Sequence, residues 1–225
     1  KMELNYIQIK KLRSFAKKIN IYFICSVFDV ESLEKVRNLN IDAYKIASSD
    51  ITDSYLQKYI SKEKKPIILS TGMSDKKDIK NCIKNFKTRN LVILHCVSLY
   101  PPQDHEVNLN NIDMLRSAFG YPAGFSDHTV GIDISLAAIT KRSVILEKHF
   151  TLDKEMFGWD HHMSATPEEL HVITRAAASI HAALGNTRRT VSARELERRD
   201  EYRRSIVAAI PIAKGQTITR EMLTL

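Results

Sequence analysis

Two periods of apolar residues take turns along this chain. Short runs rich in Ile, Val, Leu and Phe alternate with longer stretches whose apolar positions recur at helical spacing. Strand-like 21–28 precedes helical 30–39, 43–48 precedes 54–61, 66–71 precedes 76–86, 91–98 precedes 112–119, 124–128 precedes 132–141, and 144–150 precedes 167–184. Ahead of them, residues 2–20 read as an amphipathic helix with Leu4, Ile7, Leu12, Phe15, Ala16 and Ile19 at helical intervals. A strand–helix repeat of roughly two dozen residues predicts parallel βαβ units with right-handed crossovers.

An open doubly wound sheet could hold six strands, but its Gly-x-Gly-x-x-Gly turn is missing and the chain has only seven glycines. Polar residues instead fall at the carboxyl end of strand after strand, as in a barrel whose site every strand shares. At 225 residues the chain is somewhat shorter than the about 250 of a typical eightfold barrel, and it opens at Lys1 on a helix that a strand should precede. The expected fold is α/β: a (β/α)8 TIM barrel, N-terminally truncated to about six strands. Past Gly185 the repeat stops. Residues 1–185 are expected to form the partial barrel, 186–204 a polar linker, and 205–225 the start of a small second domain, with a strand-like 205–210 and a helical stub at 219–225.

The last two strands carry the densest chemistry. Each ends in a histidine, His128 or His149, with a carboxylate nearby in Asp127 or Glu147. The period of two puts Gly124, Ser126 and His128 on one face and Ile145, Glu147 and His149 on another, with Leu146, Lys148 and Phe150 opposite. Neighbouring strands lie about 4.8 Å apart, so both imidazoles can emerge at one rim and hold a metal with open positions. A Glu among apolar residues is costly unless paired or metal-bound. The same alternation brings Ser26, Lys45, Ser70 and Ser98 inward at their strand ends. With the Ser70-Thr71-Gly72 turn they suit a phosphate or carboxylate, although singly each also reads as a helix cap or a snorkelling lysine. In the loop Gly158-Trp159-Asp160-His161-His162, Asp160 is a candidate for sugar hydroxyls. The adjacent His161 and His162 point apart and read as exposed loop histidines.

Composition narrows the classes. With 44% hydrophobic and 27% charged residues the chain is ordinary globular protein. No apolar run approaches ~20 residues and no signal pattern opens it, so a cytoplasmic location without membrane contact is expected. Cys25, Cys82 and Cys96 lack metal-type spacing and read as reduced core thiols. The net charge of +8 gathers in 188–204, where Glu195, Glu197, Asp200 and Glu201 are interleaved with the arginines. That pattern predicts a salt-bridged helix or linker and no nucleic-acid partner, while a positive field suits small anionic substrates.

Six motifs, in order, carry a resemblance: Tyr44-Lys45-Ile46-Ala47-Ser48, Pro66-Ile67-Ile68-Leu69-Ser70-Thr71-Gly72-Met73, Leu94-His95-Cys96-Val97-Ser98-Leu99-Tyr100-Pro101, Phe125-Ser126-Asp127-His128-Thr129, Glu147-Lys148-His149-Phe150-Thr151 and Gly158-Trp159-Asp160. The chain from about residue 21 resembles the N-acetylneuraminate (sialic acid) synthase family, with its legionaminate and pseudaminate synthase relatives. The resemblance implies a transferase that condenses phosphoenolpyruvate with an N-acetylated sugar, N-acetylmannosamine or a related 2-acetamido hexose, to give a nonulosonic acid and phosphate. It implies Mn2+ or Mg2+ on His128 and His149, Glu147 in proton transfer, Ser26, Lys45, Ser70, Ser98 and Ser126 on phosphoenolpyruvate, and Asp50, Tyr100 and Asp160 on the sugar. It also implies a homodimer for the full-length protein and an antifreeze-like (SAF) domain beginning near 205. Ser26 stands where many members have threonine, Ser98 where some have asparagine, and Trp159 where the sialic acid enzymes often have proline, which leaves the sugar open. Against the family pattern the first two barrel strands and most of the C-terminal domain are missing, so this chain alone is expected to be inactive. The alternatives are a truncated non-catalytic paralogue that serves as a binding or assembly module, and another phosphoenolpyruvate-dependent keto-acid synthase.

Overall fold

A computed structural model describes residues 4–86 and 88–225. Met2 and Glu3 of the expected opening helix lie outside the described residues. The chain divides into two compact units, Lys1–Leu184 and Gly185–Leu225.

In the first unit, helix α1 (Tyr6–Lys18) is followed by β1 (Ile24–Ser26), α2 (Val30–Arg37), β2 (Ala43–Ile46), α3 (Ser54–Ile60), β3 (Ile67–Ser70), α4 (Lys76–Ile83) and β4 (Leu91–Cys96). Then come α5 (Asp104–Val107), α6 (Asn110–Phe119), β5 (Ala123–Asp127), α7 (Asp133–Thr140), β6 (Leu146–Lys148) and α8 (Pro167–Leu184). The six strands form one sheet in the order β1-β2-β3-β4-β5-β6, every pairing parallel. Each strand therefore lies beside its predecessor in the chain, without the reversal of direction that marks a doubly wound sheet. This is the winding of a barrel, and the sheet curls into an arc of one.

The turns into the helices are set by aspartates. Asp29 accepts a hydrogen bond from the Ser32 N–H at 2.6 Å, Asp53 from Leu56 at 2.9 Å, and Asp75 from Lys77 and Asp78 at 2.7 and 2.8 Å. Each satisfies amides that a helix start leaves unpaired, so the chain turns back at a defined residue.

Alternation along the strands builds two apolar layers. On the helix side, Tyr44, Ile46, Ile67, Leu69, Leu91, Ile93, Ala123 and Phe125 pack with Leu33, Val36, Leu56, Ile60, Ile79, Leu115 and Ala138 of the helices. Burial of aliphatic and aromatic side chains, at about 1.5–3 kcal/mol each, is what holds this layer. On the concave side a smaller cluster of Ala43, Ile68 and Leu94, joined by Val92 and Ile145, forms a floor. The next inward residues along the same strands are Lys45, Ser70, Cys96, Ser126 and Glu147, so a polar layer stands above that floor.

Gly124 is needed where β5 meets the floor. A Cβ there would lie 2.4 Å from the Ile145 carbonyl oxygen and 2.7 Å from Leu94 Cδ2.

The hydrogen-bonded strands are shorter than the apolar runs that announce them, because residues such as Val97, Ser98 and His128 run past the last ladder partner. Helix α5 was not expected from the periodicity. In the second unit the stretch expected as linker contains α9 (Ala193–Tyr202), which is capped by Ser192 and bears the exposed pairs Arg198–Glu201 at 2.9 Å and Arg189–Glu195 at 3.3 Å. Such surface pairs add little stability. The expected helical stub at 219–225 is instead a 3-10 turn at Arg220–Met222, leading into β8 (Leu223–Thr224), which pairs antiparallel with β7 (Val207–Ala208). A helix of two turns is marginal in water, and the ladder to β7 gives the same backbone groups partners. Among the described residues, no helix is long and apolar enough to cross a membrane.

Gly124→Ala is expected to lower stability by about 1–3 kcal/mol, the scale of forced overpacking, because one obstacle is backbone of the neighbouring strand. Equilibrium urea unfolding measures it; an unchanged midpoint contradicts the tight approach of β5 and Ile145.

Candidate active site

The polar layer is assembled by register. Ser26 pairs with Lys45 across β1 and β2, Cys96 with Ser126 across β4 and β5, and Ser126 with Glu147 across β5 and β6. Ser126 Oγ donates to Glu147 Oε1 at 2.6 Å, and Lys45 Nζ approaches the same oxygen at 3.6 Å while donating to the Ile46 carbonyl at 3.1 Å. Lys45, Ser70 and Ser126 are buried. Glu147 thus receives both a hydroxyl and an ammonium, the pairing an inward carboxylate requires.

Above this layer stand two imidazoles. The His128 and His149 rings are 5.3 Å apart between centroids, at 70° to each other, and the Tyr100 ring lies 4.2 Å from His128 and 5.9 Å from His149. His128 Nδ1 is 2.9 Å from the Val97 carbonyl oxygen, so that nitrogen carries the proton and donates, and the ring also hydrogen-bonds the Cys96 thiol. His149 Nδ1 lies 3.5 Å from Asp160 Oδ2. Metal-ligating histidines commonly have one nitrogen fixed by a carbonyl or carboxylate, and each of these rings has such a partner.

Charge follows the same geometry. Burial works against charging His128, but the Cys96 thiol and the Val97 carbonyl outweigh it and hold the imidazole above its ordinary range. Burial alone would raise the Cys96 thiol, yet the hydrogen bond and charge of His128, with help from Ser48 and Ser126, bring it down. His149 is lowered, chiefly by burial and then by the charge of His128, which favours the neutral ring that a metal needs.

Other expected residues are placed less tightly. Ser98 Oγ lies 4.0 Å from Cys96 Sγ, beside the turn at Gly72, where an added Cβ would collide with the Ser98 and Ser48 hydroxyls. Ser70 Oγ is buried with no hydrogen-bond partner among the described protein groups, a donor left for something other than protein. Asp50 lies in a 3-10 turn after β2 with its Oδ2 equally unpartnered; burial raises its carboxyl, with Lys45 pulling the other way. Ser26 is exposed at the end of β1 and reaches the others only through its backbone pairing with Lys45. Asp127, next to His128 in sequence, faces the helices as the alternation implies, and there it meets Lys148. His161 accepts or donates at Thr151 Oγ1, 2.8 Å away, and serves the loop.

Ser48 escaped the sequence reading. Its hydroxyl accepts from the Gly72 N–H at 2.9 Å and lies 3.6 Å from Cys96 Sγ, joining three loop ends that are far apart in sequence. The only local signal was its place at the end of a strand-like run. Among the described residues no group of three or more His, Cys, Asp and Glu side chains converges on one point as a metal cage. The fit to a cation rests on two imidazoles whose rings lie 5.3 Å apart, each with Nδ1 beside a protein oxygen, other positions being left to substrate or solvent oxygen, as in catalytic rather than structural sites.

The NeuB family model matches residues 1–189. Over the whole chain the sequence is 39% identical to the N,N'-diacetyllegionaminic acid synthase of Campylobacter jejuni, covering 69% of that protein. Over 99% of the chain it is 34% identical to the N-acetylneuraminate-9-phosphate synthase of Mus musculus, covering 63% of it. The chain spans about two thirds of the length of the curated relatives it matches. In three dimensions it is similar to a crystal structure of the N-acetylneuraminic acid (sialic acid) synthetase of Leptospira borgpetersenii, with a TM-score of 0.81 and 32% identity over 90% of this chain and 73% of that one.

The raised carboxyl of Asp50 has a consequence for stability. Its folded pKa lies above the unfolded value of 3.8, so folding is penalised as pH rises through the two values, and the penalty is full above the folded one. Asp50→Asn is therefore expected to raise the thermal midpoint at pH 7, the gain vanishing below pH 3.8, where both states are protonated. Thermal melts of both proteins across that range check the sign.

Proposed function

The chain belongs to the NeuB family, and from that membership we propose that it supplies the barrel of a synthase joining phosphoenolpyruvate to an N-acetylated sugar, giving a nonulosonic acid and phosphate. The observation that carries the reading is the pairing of the His128 and His149 rings, 5.3 Å apart, over a buried ammonium, hydroxyls and a carboxylate on the concave face.

Each residue has a part that its surroundings suit. Lys45, with the hydroxyls of Ser70, Ser98 and Ser126, binds the phosphate and carboxylate of phosphoenolpyruvate, and Ser26 lies at the outer end of the same arc. Charge-assisted hydrogen bonds in a low-dielectric site hold such an anion strongly. Asp160, Tyr100 and Asp50 receive the sugar, whose aldehyde must lie beneath the two imidazoles. His128 and His149 hold a divalent cation, manganese or magnesium, which when bound supplies Lewis acidity toward the aldehyde oxygen. In the overall change a carbon–carbon bond forms between C3 of phosphoenolpyruvate and the aldehyde carbon, water adds at C2, and phosphate departs. Glu147, held by the Ser126 hydroxyl and the Lys45 ammonium, is placed to take the proton that water loses.

Related proposals follow for the rest of the protein. The unit Gly185–Leu225, with its β7–β8 pair, is read as the start of an antiparallel antifreeze-like domain, since the Campylobacter relative matches this chain over its whole length. The free thiols Cys25, Cys82 and Cys96 suit the reducing cytoplasm. The assembly proposed for the whole protein is a homodimer.

His128→Ala and His149→Ala are each expected to abolish stoichiometric Mn2+ binding, measured by electron paramagnetic resonance of free Mn2+. Retention in either variant removes the ligand assignment. In the whole protein, Glu147→Gln is expected to cut phosphate release by about 100-fold or more, the scale of general acid–base catalysis. Mass spectrometry that finds a keto acid three carbons longer than the hexose supplied supports the reading; consumption of phosphoenolpyruvate without that product rejects it.

A further inference from the structure

Directly before each histidine stands a residue that the proposed chemistry leaves unused. Asp127 precedes His128 and Lys148 precedes His149, and alternation turns both away from the concave face, into the layer beneath α7. There the Lys148 ammonium lies 3.0 Å from Asp127 Oδ2, with side chains 5% and 0% exposed, and also donates to the Thr129 carbonyl oxygen at 2.8 Å.

Asp127 is saturated. Its Oδ1 accepts from both the N–H and the hydroxyl of Thr129, each at 2.8 Å, and its Oδ2 accepts from the Ser135 hydroxyl of α7 as well as from Lys148. These bonds grip the backbone on both sides of His128: residue 127 through its own side chain, residue 129 through its N–H, hydroxyl and carbonyl. The neighbouring strand is held at its own histidine, where the Ala165 N–H donates to the His149 carbonyl oxygen at 2.8 Å. The ion pair crosses between β5 and β6 one residue before the ladder gives way to the imidazoles.

We propose that the buried Asp127–Lys148 pair, with Thr129 and Ser135, is a positioning clamp that sets the distance and orientation of His128 against His149, and so the affinity of the site for a divalent cation. The inference rests on the metal reading of the two histidines, but its residues touch neither imidazole nor substrate. A buried pair contributes little net stability over apolar side chains of like shape, while it tolerates only one mutual geometry. That restriction is what two ligands on separate strands require, since they must agree in position before a metal arrives. Residues that orient ligands without contacting the ion typically account for 10–100-fold in affinity.

Single substitutions would strand a buried charge and unfold the region, so the test uses the neutral double variant Asp127→Asn/Lys148→Met. It keeps the approximate shape and an oxygen to accept from Thr129, lets the new amide N–H donate to the Ser135 hydroxyl, and gives up the Lys148 bond to the Thr129 carbonyl. In the whole chain, circular dichroism is expected to find it folded, with Mn2+ affinity, read by electron paramagnetic resonance, down by about 10–100-fold. Ile93→Val, a core variant that also costs stability, is expected to leave the affinity unchanged. If the double variant folds and binds Mn2+ within about twofold of the parent, the clamp is overturned. So it is if Ile93→Val loses affinity equally, which would make the effect one of general stability. If the parent itself binds no Mn2+, the metal reading fails separately, and the clamp is then decided by long-range 1H–15N spectra of the imidazoles. Altered His128 and His149 ring signals in the double variant, with those of His105, His171 and His181 unchanged, support it, and unaltered ones reject it.

Discussion

A parallel strand covered by helices on one side must serve two environments at once, one residue for each in turn. In β2 to β5 the residues that meet the helices are almost wholly aliphatic or aromatic, while those that face inward begin apolar and end polar. Everything else in the first unit depends on that division. It lets Lys45, Ser70, Ser126 and Glu147 share a depth without disturbing the layer that holds the sheet to its helices, and it carries His128 and His149 to one rim.

The polar layer solves an electrostatic problem that the apolar floor creates. Glu147 and Lys45 lie just above side chains that cannot solvate them, and each is made tolerable by the other together with Ser126. Beneath α7 the same problem is solved separately by Asp127 and Lys148. Two opposite-charge pairs, one on each face of the sheet and both involving β6, give this part of the protein more ionic character than the strands before it.

Much of the arrangement was legible in the sequence because the period of two is local. Knowing that Ser126 and Glu147 are inward needed only their own strands, and the helix 167–184 was announced by its apolar stripe and its opening proline. What could not be read depends on partners distant in the chain. The union of Ser48, Gly72 and Cys96 joins three loops that no spacing relates. The alternation that turns His128 inward turns Asp127 to the helix side, but that Lys148 of the next strand meets it there could not be read from spacing. The stretch 219–225 has the composition of a short helix, and only the presence of Val207–Ala208 alongside makes β8 of its end.

The strands differ in how deeply they are set. Every residue of β5 is buried, whereas Leu146, Glu147 and Lys148 of β6 are all only partly so. Backbone amides at such a margin open in native conditions far more often than those at the centre of a sheet. The two imidazoles thus stand on differently seated supports, one at the end of a strand buried throughout and the other at the end of a strand that keeps some access to solvent, so hydrogen exchange at β5 and at β6 reads the two halves of the site apart.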